Sequence, residues 1–420
     1  RTDAAGNTSQ FSFREFPEII PQIGPTITVD VGASQADPTN TEPVFFDVVA
    51  DEAITGFSIA DITKGGTSTY DVSLTGLGDG RHFTIEAFNI SGAGSISPQV
   101  MAMSVVDLSS NANANPFTST NGSTDGTVTF DATAPVITVD TLLTNDATPA
   151  LSGTVEDGAA TITVDVGGQT GLAATNNGNG TWTLPDNTLS TVADGTYNVT
   201  ATATDSGSNV ASDNTTNELT IDTVAPAASM GLRITNDASP ALSGPIDDAT
   251  ATVTVSVDGQ SGLVATNGGT MWSLADNTLT ALADGVYTVT LDVLDPAGNS
   301  DTIANTDTLV IDTTAPAVTI FTQSTNNARP TLSGTVTDAT ASTVSITVGG
   351  QTFGATVSGG GWSAGVPSAL ADGPYTIEAT ATDGAGNVGM ASSTDGLWVD
   401  TTTPLITVTP TTSASASPAL

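Results

Sequence analysis

The sequence predicts an all-β protein: a tandem array of antiparallel β-sandwich domains, extended end to end. Three observations carry this. Tryptophans recur at Trp182, Trp272 and Trp362, 90 residues apart each time. Between them the residues alternate with a period of two, as in Thr161-Ile162-Thr163-Val164-Asp165-Val166 and Tyr197-Asn198-Val199-Thr200-Ala201-Thr202-Ala203, the pattern of half-buried strands. Helix formers are scarce, and Thr, Val, Ala, Gly, Ser and Asn dominate.

Each element follows in chain order. Residues 1–24 read as the end of a preceding domain plus a linker, because Asp3-Ala4-Ala5-Gly6-Asn7 repeats a turn seen later. Residues 25–131 read as a variant sandwich. This segment has no matching tryptophan, but Asp79-Gly80 precedes an aromatic strand and Thr127-Val128-Thr129-Phe130-Asp131 closes it. Three true repeats follow, at 132–222, 223–312 and 313–400. Residues 401–420 open a further domain, since Ser417-Pro418-Ala419-Leu420 matches Ser239-Pro240-Ala241-Leu242. On this reading the chain is a piece of a longer protein.

The repeat boundaries rest on several markers at one period. Asp-Gly pairs at 194–195, 284–285 and 372–373 precede Tyr197, Tyr287 and Tyr375. Asp-x-x-x-Asn turns run Asp205–Asn209, Asp295–Asn299 and Asp383–Asn387. Asp-x-x-x-Pro steps stand at Asp131–Pro135, Asp222–Pro226, Asp312–Pro316 and Asp400–Pro404. A period near 90 is too long for a solenoid repeat and suits one whole sandwich. In 132–222 seven strands are expected, at about 136–140, 148–155, 160–166, 170–175, 181–185, 196–204 and 216–222. They fit two antiparallel sheets, with Trp182 and Tyr197 in the core. Each such domain spans about 35–45 Å.

Composition narrows the function. Six Lys+Arg stand against 44 Asp+Glu, a net charge of −38. Such a polyanion is repelled by nucleic acid and by anionic membrane surfaces, so neither is a partner. Only eight of the acids are Glu, and the aspartate excess fits turns, Asx motifs or hard-cation ligands. There is no cysteine, which excludes disulfides and thiolate chemistry and points to a bacterial source. No apolar run approaches the roughly 18 residues of a membrane helix, so no direct membrane insertion is expected of this segment.

Asp312-Thr-Thr-Ala-Pro316, Pro330-Thr-Leu-Ser-Gly-Thr-Val336, Ala371-Asp-Gly-Pro-Tyr375 and Asp383-Gly-Ala-Gly-Asn387 resemble the immunoglobulin-like repeats of giant bacterial biofilm and RTX-type adhesins. The likeness covers about 132–400. The 25–131 segment looks like a second immunoglobulin-like type from the same proteins. The resemblance implies non-catalytic, extracellular stalk domains on a cell surface, many of which bind calcium between domains.

The strand order makes a map of the loops. The loops after the second, fourth and sixth strands should gather at the end where the chain enters, the others at the end where it leaves. Asn145-Asp146 and Asp194 then face the outgoing linker Asp222. Asp247, Asp248, Asp295 and Asn299 of the next domain come to the same junction. Ca²⁺ takes six to eight oxygens, which such a junction could supply. The candidate ligands are Asp131, Asp146, Asp205, Asp222, Asp247, Asp295, Asn299, Asp312, Asp383 and Asp400, beside the alternative that all are turn residues. The third repeat carries Asn326-Asn327 where the others carry Asn-Asp. The linker prolines fix φ and stiffen each join.

Enzyme signatures are absent. His82 is the lone histidine, and no phosphate loop, HExxH or Cys/His cluster occurs. The first functional reading is therefore a mechanical spacer whose partners are the neighbouring domains of its own chain, with cell-surface or matrix ligands beyond. The second is a subunit of a filament, sheath or surface layer made of many copies. A carbohydrate-binding module is the third, disfavoured by an aromatic content of 5%.

Overall fold

A computed structural model describes residues 4–6, 24–113, 126–337 and 343–409. Most of the expected segments 1–24 and 401–420, including Asn7 and Ser417–Leu420, lie outside the described residues. The regular elements of the described residues are all strands except one 3₁₀ turn, Ile59–Asp61. Among the described residues, no helix is long and apolar enough to cross a membrane. By contact the chain divides into two units, Arg1–Ile221 and Asp222–Leu420.

The first unit holds two sandwiches. In the first, a four-stranded sheet runs in the order Ile27–Val31, Val44–Ala50, His82–Ser91, Thr69–Gly76. It faces the three-stranded sheet Ile62–Gly66, Gly94–Val100, Val128–Phe130. Alternation decides the inner face: Val44, Phe46, Val48 and Ala50 are buried while Phe45 and Val49 are not. Phe57 and Phe83 close one side edge to face, centroids 5.1 Å apart.

The second sandwich, over 137–221, departs from the expected strand map in three ways. The segment 136–140 is not a continuous strand; Ile137 makes an isolated bridge to Val155. The chain then crosses to the other sheet, where Leu142–Thr144 pairs parallel to Leu219–Ile221. The two sheets are therefore not purely antiparallel. The expected last strand, 216–222, shortens to Leu219–Ile221, and Val210–Ser212 adds a strand beside Val199–Thr204. The expected strands at 160–166, 170–175 and 181–185 appear as Thr161–Val166, Gln169–Asn176 and Thr181–Leu184.

The second unit repeats this design twice. In its first sandwich one curled sheet runs Arg233–Thr235, Ser300–Ile311, Gly285–Leu294, Thr252–Val257, Gln260–Asn267, Met271–Leu274, Leu242–Pro245. Gln260–Asn267 makes the curl. Its start pairs with Thr252–Val257, and Thr266 and Asn267 pair with Met271–Leu274. Its second sandwich runs from Ala317–Val318 to Val388–Val399. Apolar residues gather into four separate clusters, over 27–130, 137–221, 228–311 and 332–399.

Trp182, Trp272 and Trp362 are among the largest fully enclosed side chains or close to it. Each indole N–H donates to a carbonyl on the entering segment: Thr138 at 2.8 Å, Ser229 at 3.0 Å and Thr319 at 2.9 Å. Tyr197, Tyr287 and Tyr375 pack against the same cores, and each hydroxyl donates to the carbonyl four residues earlier. That arrangement pins the corner before the following strand.

Candidate junction site

The candidate aspartates lie on turns and linkers, and their neighbours are resolved within each unit. The Asp-x-x-x-Asn turn is one module used three times. Asp383 Oδ1 accepts the Asn387 N–H at 2.8 Å and the Ala385 N–H at 2.9 Å. Asn387 Nδ2 donates to Asp383 Oδ2 at 2.8 Å and to the linker carbonyl of Asp312 at 2.6 Å. Asp295 and Asn299 do the same to the carbonyl of Asp222. Asp205 and Asn209 do it to that of Asp131. An Asx turn plus an amide that reaches the linker explains why Asp and Asn recur at this spacing. The module is buried: Asp295 and Asp383 are 5% exposed, Asn299 and Asn387 9%. Burial alone pushes the Asp295 and Asp383 carboxyls up, but the side-chain and backbone donors of the turn outweigh it and hold both below the usual range.

The linker carboxylates close on their own backbone. Asp131, Asp312 and Asp400 each accept, through Oδ1, the N–H two residues on, at Thr133, Thr314 and Thr402. Asp222 accepts the Val224 N–H in the same way. Asp247 Oδ1 accepts the Ala227 N–H at 2.7 Å, which ties the loop after Leu242–Pro245 to the entering segment. Asp146 is another Asx turn, accepting the Thr148 N–H at 2.8 Å, and Thr148 holds its carboxyl below the usual range. Asn327, which stands in the matching place, accepts the Arg329 N–H at 2.9 Å. An amide serves here as well as a carboxylate, as the turn requires. Pro135, Pro226 and Pro316 are buried in their sandwiches, so they anchor each linker besides fixing φ.

The structure brings some of these residues together. Asp222, Asp247 and Asp248 line one cleft of about 280 Å³ with Val224, Ala225, Pro226 and Ala249. At the 312 linker three segments meet: Asp312, the turn Asp383–Asn387, and Asn236, whose amide lies 3.9 Å from where a Cβ on Gly386 would stand. At the 131 linker Asn40 Nδ2 donates to Asn209 Oδ1 at 3.1 Å.

Ca²⁺ would need six to eight oxygens at about 2.3–2.6 Å. Among the described residues, no group of three or more His, Cys, Asp or Glu is disposed to hold a metal ion. The best-placed carboxylates already accept N–H donors.

Two acids outside the candidate set act at the junctions. Asp284 accepts the Thr313 N–H and hydroxyl on Oδ1, at 2.8 and 2.7 Å, and the Thr314 hydroxyl on Oδ2, at 2.6 Å. Asp372 does the same with Thr401 and Thr402. Their signal was in the sequence: an Asp-Gly pair a fixed 29 residues before a linker Thr-Thr.

A sandwich with an immunoglobulin-type tyrosine corner, repeated in tandem and joined by short aspartate-proline linkers, defines a multidomain immunoglobulin-like array. The chain belongs to the bacterial Ig-like domain family, which it matches at residues 136–223, 229–313 and 322–401, more than half its length. Among curated proteins none matches it in sequence. A solved tetra-tandem repeat from the extending region of a large adhesion protein is 23% identical, with a TM-score of 0.31, over 90% of this chain and 99% of that one. A 1.5-MDa bacterial ice-binding adhesin, in a structure on host cell surface retention, is 22% identical at a TM-score of 0.31, over 64% and 100%. A Ca²⁺-stabilized adhesin that helps an Antarctic bacterium reach out and bind ice is 23% identical at 0.30, over 88% and 98%.

Proposed function

We propose that this chain is a non-catalytic spacer segment of a bacterial cell-surface adhesin, displayed outside the cell. Its working units are the domains 25–131, 132–222, 223–312 and 313–400. The observation that carries the reading is the junction. Asn209, Asn299 and Asn387 each spend a buried amide on a linker carbonyl, so the repeated polar motif is used to fix one domain to its linker. The partners are accordingly the neighbouring domains of the same chain, with surface or matrix ligands held by other parts of the protein.

Calcium stiffening is a second reading. It is favoured by Asp222, Asp247 and Asp248 lining one cleft in a chain of net charge −38. Without a counter-ion these charges repel.

One experiment separates the readings: solution scattering with thermal melting, in millimolar Ca²⁺ and then in EGTA. The hydrogen-bonded spacer gives a monomer with the same maximum dimension and melting point in both. A lower melting point and a changed dimension in EGTA support calcium at the junctions. Growth beyond one chain in either buffer replaces the spacer reading with a filament or lattice subunit.

A further inference from the structure

We propose that Asp284 and Asp372 are the locks of the 312–316 and 400–404 linkers, each carboxylate holding two consecutive threonines and fixing the linker's direction without a metal ion. The two sites are copies. Thr313 and Thr401 give their N–H at 2.8 Å and their hydroxyl at 2.7 Å to Oδ1, and Thr314 and Thr402 give their hydroxyl at 2.6 Å to Oδ2. Both carboxylate oxygens are thus engaged by donors of the outgoing linker. The acid sits on the preceding sandwich, just ahead of Gly285–Leu294 or Gly373–Thr382.

The 312 linker is held from other directions too. The Asp312 N–H donates to the Thr235 carbonyl at 3.0 Å, and the Asp312 carbonyl accepts Asn387 Nδ2 from the following sandwich. Residues 312–314 are therefore tied to the sandwich before and the sandwich after, and Pro316 fixes φ two residues on. Charge-assisted hydrogen bonds to a carboxylate are the stronger kind, and three on one rigid corner act together. The donors hold the Asp284 and Asp372 carboxyls below the usual range, led by the Thr314 and Thr402 hydroxyls, so the accepting form persists at neutral pH.

The lock is not universal along the chain. In the 131 linker Ala132 stands where Thr313 and Thr401 stand, and it has no hydroxyl to give. That junction keeps the backbone tie, the Asp131 N–H donating to the Thr39 carbonyl at 2.9 Å as Asp312 does to Thr235, and adds Asn40 on Asn209.

The test is hydrogen exchange on the whole 420-residue chain, read at peptides covering 312–316 and 400–404, in Ca²⁺ and in EGTA. Asp284→Ala should raise exchange of the Thr313 amide roughly tenfold in both buffers. The 400–404 peptide should not change. Thr314→Val leaves Asp284 and its loop untouched, so it avoids any folding defect, and should raise linker exchange about threefold. The proposal is overturned if neither variant changes exchange at 312–316. It is also overturned if EGTA alone brings the wild-type linker to the Asp284→Ala rate. The lock rests on the spacer reading only for its purpose: self-association in scattering would remove that purpose and leave these exchange rates as they are.

Discussion

Gly153, Gly244 and Gly334 end the Leu-Ser-Gly triplets, and their positions show what a single missing Cβ permits. A Cβ on Gly244 would stand 1.8 Å from the Ser229 carbonyl oxygen and 3.0 Å from Trp272 Nε1. The entering segment lies directly over the glycine, and the indole N–H reaches the same carbonyl. No rotamer relieves a Cβ clash with backbone. Gly244→Ala should therefore cost about 3 kcal/mol in the sandwich that carries it, read as a lower denaturant midpoint with the m-value unchanged. A substitution without measurable loss would mean that the entering segment is free to lift away. The sequence marked these tryptophans as core but gave no reason for the glycines, because the neighbouring segment is 15 residues distant in the chain.

At the scale of the strand, one residue in the left-handed region lies in or just before the last strand of each repeat: Asn217 at φ 67°, two residues ahead of Leu219–Ile221, and Asp307 at 55° and Asp395 at 52° within theirs. In Ser300–Ile311 and Val388–Val399 this residue sits where the pairing with the preceding strand slips register, between Tyr287 and Val289 or between Tyr375 and Ile377. Asn and Asp tolerate that backbone conformation and β-branched residues do not. Asp307 is exposed, so it is a clean probe. Asp307→Val should destabilise its sandwich by about 1–2 kcal/mol despite higher strand propensity, and Asp307→Gly should not. Melting of the two variants side by side checks this, and equal melting points would refute the strain argument. The alternation breaks at such a kink, where Thr306 and Asp307 are both exposed, and at the sheet change before Leu142–Thr144, where Asp140 and Thr141 are both exposed. Periodicity reports which face is apolar; the partner strand is set by register, which the pattern leaves open.

At the scale of the whole molecule, four separate apolar clusters predict that the sandwiches unfold one at a time. Stretching the chain between its ends should give a sawtooth. Each repeat releases about 250–290 Å of contour, the extended length of some 90 residues less the folded span. A single transition, or steps of twice that length, would show that neighbouring sandwiches unfold together.

The sequence by itself determined the all-β class, the 90-residue period, the tryptophan-centred cores and the acidic linkers, because burial alternation and turn chemistry are local properties of the chain. The junction chemistry was only half legible. The same Asp and Asn residues serve an Asx turn, a linker anchor or a cation site, and these uses differ only in what stands within hydrogen-bond reach. The tertiary structure decided that Asp284 and Asp372 face N–H and hydroxyl donors of linkers 29 and 30 residues on, and that Asn299 and Asn387, held by the local turns of Asp295 and Asp383, reach linker carbonyls 77 and 75 residues away. It also decided that the entering segment crosses between sheets, because only the folded partners offer the carbonyls and N–H groups it must pair with.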